Sequence, residues 1–261
     1  MTILSSLVIT FILGACVGSF LNVVAYRSIH GGSIFVDRSR CPHCKHNLGT
    51  VDLVPILSFV FLKGKCHYCK KKISVQYPLV ELSTVFLFSL AFYILHPTSQ
   101  VQYLNLAYVL FVTSVLIIIF ITDIKDGLIP DKVILPSIAI VFAFKIIFLF
   151  LSLASQLFYD ILAGLIAGAF FYALVLITRG KGMGGGDVKY ALFLGLALGI
   201  SKLLIGLFLA FLTGALASII LIIVGRRRIG QTVPFGPFLS IGALIALLWG
   251  QQVLEWYLRI Y

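Results

Sequence analysis

Two residue types in this 261-residue chain could do chemistry: nine carboxylic acids and five cysteines. Asp123 ends the apolar run 116–122, and Asp187 follows Gly184, Gly185 and Gly186. An ionisable group at the edge of an apolar segment costs free energy, so function is the first hypothesis for it. Two carboxyls brought close together cannot both ionise easily, and one keeps its proton. Such a pair can split a peptide: the charged member draws a proton from water while the neutral one donates to the scissile carbonyl. Glycines before Asp187 remove side chains and let a substrate strand approach the backbone. The competing reading is structural, with each Asp capping a helix or pairing with Lys125 or Lys189. Asp126 and Asp131 are rivals for the first position. Asp126 lies in a turn-like step with Gly127, one helical turn from Asp123. Asp131 follows Pro130, where an N-terminal cap explains an Asp well.

The cysteines form a second constellation. Cys41-Pro-His-Cys44 and Cys66-His-Tyr-Cys69 are two C-x2-C pairs separated by 21 residues. Each pair puts two thiolates on one tight turn, and two such turns close on a tetrahedral zinc ion. A pair of disulfides is the alternative, disfavoured if the loop is cytoplasmic. Four protein ligands leave no open position, so the metal's role is structural: it staples a basic loop too small to build a core. His43, His46 and His67 read as solvent-exposed neighbours, and Cys16 as a small packing residue in the first apolar run.

The elements that position these groups are apolar helices. The chain is 61% apolar and 11% charged, where a soluble domain carries roughly a quarter charged residues. Lipid must therefore be the solvent for most of its surface. The runs predict spans at 3–25, 78–96, 102–122, 133–153, 160–178, 188–201, 203–224 and 234–251. The first 26 residues lack a basic start and read as a retained span rather than a signal peptide. With the amino terminus outside, the inner loops are 27–77, 123–132, 179–189 and 225–233. They hold every Lys and Arg except Lys145, Lys202 and Arg259. That asymmetry follows the positive-inside rule, and it accounts for the net charge of +11 without nucleic acid. It also puts Asp123 and Asp187 at one depth on the cytoplasmic face, on helices running in opposite directions. The sixth span is short and glycine-rich, so it tilts, starts inside the loop, or is shielded by protein. Val51–Leu62 is apolar but too short to cross, which predicts a hairpin or an interfacial segment.

The fold class is thus an all-α integral membrane protein of about eight transmembrane helices. A small cytoplasmic zinc-binding loop domain lies between helices 1 and 2. Five segments, in this order, resemble the type IV prepilin peptidases: Gly18–Val23 through Arg27, the two C-x2-C pairs, Gln76–Leu82, Asp123–Asp131 and Gly182–Lys189. The resemblance covers nearly the whole chain. It implies a membrane aspartyl protease of the GxGD type, with Asp123 and Asp187 catalytic. It implies prepilin or pseudopilin substrates, cut after the Gly that ends a short basic leader, at the cytoplasmic face of the bacterial cell membrane. It also implies N-methylation of the new amino terminus with S-adenosylmethionine. Gly64 aligns with a position the family links to methylation. Glu81 would orient the substrate's amino group or the methyl donor, or simply snorkel towards the interface. Gln76 stands where many members have Arg. The division implied is 1–100 for the methylation-associated region and 101–261 for the peptidase core.

Remaining residues have plainer expectations. Asn22 hydrogen-bonds between helices. Lys145 snorkels outward or faces a polar cavity. Arg226, Arg227 and Arg228 fix topology and meet anionic lipid. The rival functions are a different GxGD protease, a proton-coupled transporter and a non-catalytic scaffold. A transporter's carboxylates should lie near the bilayer midplane rather than at one face.

Overall fold

Backbone groups inside hydrocarbon have no water to bond, so apolar runs must close their hydrogen bonds internally as helices. The computed structural model describes residues 3–34, 36–151, 156–180, 182–225 and 233–260, and among these the regular structure is helical. The helices are α1 (Ile3–His30), the five-residue α2 (Leu57–Phe61), α3 (Gln76–Leu95), α4 (Gln100–Asp126), α5 (Asp131–Phe150), α6 (Leu157–Ile177), α7 (Gly185–Ile223) and α8 (Gly236–Ile260). Seven are long and apolar enough to cross a membrane. Lys181 and Arg226–Arg228 lie outside the described residues.

The chain divides into two compact units, Met1–Ile118 and Ile119–Tyr261, with the boundary inside α4. In the first, α1 and α3 pack antiparallel on a seam of small residues. A Cβ on Gly14 would meet the Val85 backbone at 2.8 Å, and one on Gly18 the Glu81 backbone at 2.8 Å. Only glycine permits so close an approach. The Asn22 amide donates to the carbonyls of Gly18 (3.3 Å) and Tyr77 (3.2 Å), tying the two helices as expected. Cys16 is exposed, so it is not the packing residue its apolar surroundings suggested. Val51–Leu62, too short to cross, forms two short helical turns, Val51–Leu53 and α2, with exposed apolar side chains.

The second unit turns on α7. Its 39 residues would extend about 59 Å as one straight helix, twice a bilayer's hydrocarbon thickness. It is not straight. Tyr190 hydrogen-bonds Ser240 at 2.7 Å, and a Cβ on Gly214 would stand 3.5 Å from Phe238. Tyr190 and Gly214 therefore lie at nearly the same level on α8, although a straight helix would separate them by roughly 36 Å. The reversal is at Gly199, whose φ of 72° and ψ of 170° break the helix. α7 thus supplies both the sixth and the seventh expected spans, as a helical hairpin with no loop between its limbs. The first limb is buried almost throughout from Tyr190 to Gly199, so protein shields this short segment. α6 packs on it through Gly164, Gly168 and Gly195, and α8 packs on the second limb through Gly206 and Gly242.

Gly199 is required twice over. Its φ belongs to the left-handed region, and a Cβ there would sit 2.6 Å from Asp160 Oδ1. The other oxygen, Asp160 Oδ2, accepts a 2.8 Å bond from Lys145, with both side chains largely buried. Lys145 therefore neither snorkels nor faces an open cavity; it is one half of an ion pair at the α7 reversal.

Candidate active site and metal site

Asp123 lies in the last turn of α4 and is buried, at 6% exposure. Its Oδ2 accepts a 2.8 Å hydrogen bond from the backbone N–H of Gly236, the first residue of α8. The first turn of a helix has unpaired N–H groups and a partial positive charge, so a carboxylate is stabilised there. The contact leaves no room for a side chain: a Cβ on Gly236 would lie 2.7 Å from Asp123 Oδ2. Asp187 is half-buried in the first turn of α7, and its Oδ2 accepts a 3.1 Å bond from the N–H of Gly184. Each acid thus takes part in a helix start, as the structural reading required, but each spends only one oxygen on it. The two carboxyl groups are near enough to interact electrostatically. Asp187 does not pair with Lys189. Lys189 is held by Asp131 at 2.7 Å, and Asp131 is the first residue of α5 rather than its cap.

Two contacts join the segments carrying these acids. A Cβ on Gly186 would stand 3.0 Å from Ile129 Cβ, so the glycine lets the 127–130 turn lie against the start of α7. The Lys189–Asp131 pair ties the same two segments. Around Gly185 the space is open, and both Gly184 and Gly185 are exposed. An extended chain could reach the carboxyls from this side without meeting a side chain on those residues. Sequence reasoning missed Gly236, Ser240 and Tyr190. The available signal was Pro234-Phe-Gly-Pro237 at the mouth of the last span, where a glycine between prolines marks a special backbone position.

In the first unit, the four cysteines converge. Their sulfur atoms all lie within 4.8 Å of one another, and Cys41 Sγ is 3.9 Å from Cys69 Sγ. A disulfide needs about 2.05 Å, whereas ligands of one tetrahedral zinc at about 2.3 Å stand roughly 3.8 Å apart. The two knuckles repeat one backbone design. Cys41 N–H donates to His46 O and Lys45 N–H to Cys41 O; Cys66 N–H donates to Lys71 O and Lys70 N–H to Cys66 O. Lys45 and Lys70 have matching left-handed φ values of 59° and 58°. Burial pushes the Cys41 thiol up, but hydrogen bonds from the Cys44 and His43 backbone and from the Cys66 and Cys44 thiols leave it at about 7. The Cys44 thiol is drawn down by the His46 backbone, yet burial and the Cys41 and Cys69 sulfurs push it to about 11. Four converging thiols are a donor set that a bound cation would ionise. The donor set, spacing and turns therefore fit a structural zinc ion. His43, His46 and His67 are exposed, and His67 bonds Asp52 (3.2 Å) beside Tyr68 (3.2 Å).

Gly64 closes the turn before the third cysteine. It has a φ of 68°, donates to Phe59 O and accepts from Ile73 N–H, and a Cβ there would press on Phe59 at 3.1 Å. The knuckle thus requires glycine at this position for its own geometry. Glu81 is buried on α3, and its Oε2 accepts a 2.7 Å bond from Ile56 N–H, with the Ser19 hydroxyl as a second partner. It does not snorkel.

Comparison with known proteins identifies the family. The family described as Bacterial Peptidase A24 N-terminal domain matches residues 12–95, and the Type IV leader peptidase family matches residues 110–219. Proteins named prepilin leader peptidase/N-methyltransferase are similar along nearly the whole chain. The one from Aeromonas hydrophila is 34% identical, covering 96% of this chain and 93% of its own. That from Bacillus subtilis is 34% identical, covering 97% and 98%. That from Pseudomonas aeruginosa is 32% identical, covering 96% and 92%. No solved structure matches. With its helices, its converging cysteines and full-length similarity to these enzymes, the chain belongs to the type IV leader peptidase family and is a multi-pass membrane protease.

Proposed function

We propose that the chain is an aspartyl endopeptidase that removes the short basic leader of type IV prepilins or pseudopilins, cutting after glycine at the cytoplasmic face of the cell membrane. The observation that carries this reading is the pair Asp123 and Asp187, each anchored by one backbone N–H and each keeping an oxygen for other partners. The pair holds one proton between its members, and the titration belongs to the pair. The ionised carboxyl takes a proton from the attacking water, and the protonated one donates to the scissile carbonyl oxygen. The proton then passes to the leaving amine as the peptide bond breaks. Open backbone at Gly184 and Gly185 receives the extended leader. The positive-inside count supports an outer amino terminus and a cytoplasmic dyad.

The same reading includes methylation of the new amino terminus. S-adenosylmethionine would supply the methyl group. Glu81, a buried carboxylate with acceptor capacity left beyond its bonds to Ile56 and Ser19, would hold the free ammonium. Gly64 supports this region through the turn it makes possible, and zinc on Cys41, Cys44, Cys66 and Cys69 keeps the loop folded. The test is processing of a leader-bearing prepilin, with a mass measurement on the product terminus. Glu81→Gln should leave cleavage intact and remove the methyl. Cleavage and methylation both at wild-type levels would refute the assignment of Glu81.

A further inference from the structure

The donor to Asp123 is not held by α8 alone. Gly236 begins that helix, and its carbonyl accepts a 2.9 Å bond from Ser240 Oγ, one turn later. Ser240 spends its only proton there, so its oxygen accepts from the Tyr190 hydroxyl, at 2.7 Å. Tyr190 stands on α7 three residues after Asp187, on the same face of the helix. Both members of the bond are buried, Tyr190 at 0% and Ser240 at 3% exposure. The Tyr190 ring also packs against Phe193, and Phe235, just ahead of Gly236, packs on Phe211 and Phe238. A dry chain of hydrogen bonds thus runs from the helix that carries Asp187 to the peptide unit that grips Asp123. Asp123 and Asp187 both lie near enough to the Tyr190 hydroxyl to interact with it electrostatically.

We propose that Tyr190 is a positioning residue of the peptidase: through Ser240 it fixes the first turn of α8, and so holds the Gly236 N–H on Asp123 in register with Asp187. This rests on the aspartyl reading above. Tyr190 touches no reacting atom. It couples the two acids mechanically, so that a shift of the α7 start carries the Asp123 anchor with it. A hydroxyl buried only for packing would affect stability and leave the rate per folded enzyme unchanged.

The test uses the full-length enzyme in lipid vesicles with a synthetic prepilin, comparing wild type, Tyr190→Phe, Ser240→Ala, the double variant and Asp123→Asn. Tyr190→Phe keeps the ring and removes one oxygen. Its kcat is expected to fall about tenfold, with KM changed less than about twofold. Ser240→Ala should do the same, and the double variant should be no worse than the poorer single one, because both break one chain. Should Tyr190→Phe fold poorly, Ser240→Ala carries the test alone. Wild-type kcat per folded enzyme in the single variants, with Asp123→Asn inactive, overturns this proposal and spares the dyad. Processing by Asp123→Asn at the wild-type rate overturns both.

Discussion

Gly236→Ala isolates the contact on which the site depends. The added Cβ would lie 2.7 Å from Asp123 Oδ2, 3.0 Å from its Cγ and 3.1 Å from its Cβ. Ordinary van der Waals contact begins near 3.4 Å, so the carboxyl or the start of α8 must retreat by roughly 0.7 Å. Asp123 is buried at the end of a packed helix and has little room to yield. Alanine also keeps the backbone N–H, so the substitution moves the acid without deleting its partner. A displacement near 1 Å costs about 10²-fold in rate when reacting groups must align, which puts the expected loss of kcat between about tenfold and a hundredfold. Stability should also fall, by about 1–3 kcal/mol from overpacking, so the rate is read per folded enzyme. The assay is prepilin cleavage by vesicle-reconstituted enzyme, normalised to the folded fraction from a thermal melt. Wild-type kcat for Gly236→Ala would refute the claim that this contact sets the position of Asp123.

Other consequences follow from separate contacts. Gly199→Ala meets both a left-handed φ and the Asp160 carboxylate, and should destabilise the second unit by about 1–2 kcal/mol from the backbone alone, read as a lower unfolding midpoint. Lys145→Met leaves Asp160 buried without its cation and should cost about 3 kcal/mol, whereas replacing both with apolar residues should recover most of that in the same melt. Cys66→Ser should abolish bound zinc in elemental analysis of the purified protein and lower methylation more than cleavage; full methylation in the zinc-free variant would contradict the role given to the loop.

Those features of the site that depend on local spacing were legible in the sequence. A C-x2-C step sets a tight turn by itself, and two of them offer four thiols that can converge on one site, as these do. The acids stood out because an apolar run ends at one and a glycine run precedes the other. The structure adds contacts between segments distant in sequence. Asp123 and Gly236 are 113 residues apart, and nothing in either neighbourhood encodes the other. Lys145 looked like an isolated cation because its partner sits on the next helix, reached only once α5 and α6 are placed. The apolar runs predict two spans for the helical hairpin, with the break near Lys202, where polarity interrupts the run. It lies at Gly199, where the backbone can reverse and Asp160 approaches it. Polarity marks where a chain leaves the apolar phase; backbone freedom and packing decide where it turns.

The central claim is tested most directly by mass analysis of a leader-bearing prepilin incubated with membranes holding wild type, Asp123→Asn or Asp187→Asn. Asparagine keeps the size of each side chain and the anchoring bond from Gly236 or Gly184, but cannot exchange the catalytic proton. The expected result is a cleaved, methylated product from wild type and a loss of roughly a thousandfold or more in both variants. Equal processing by all three would contradict the account and leave the two acids as helix anchors.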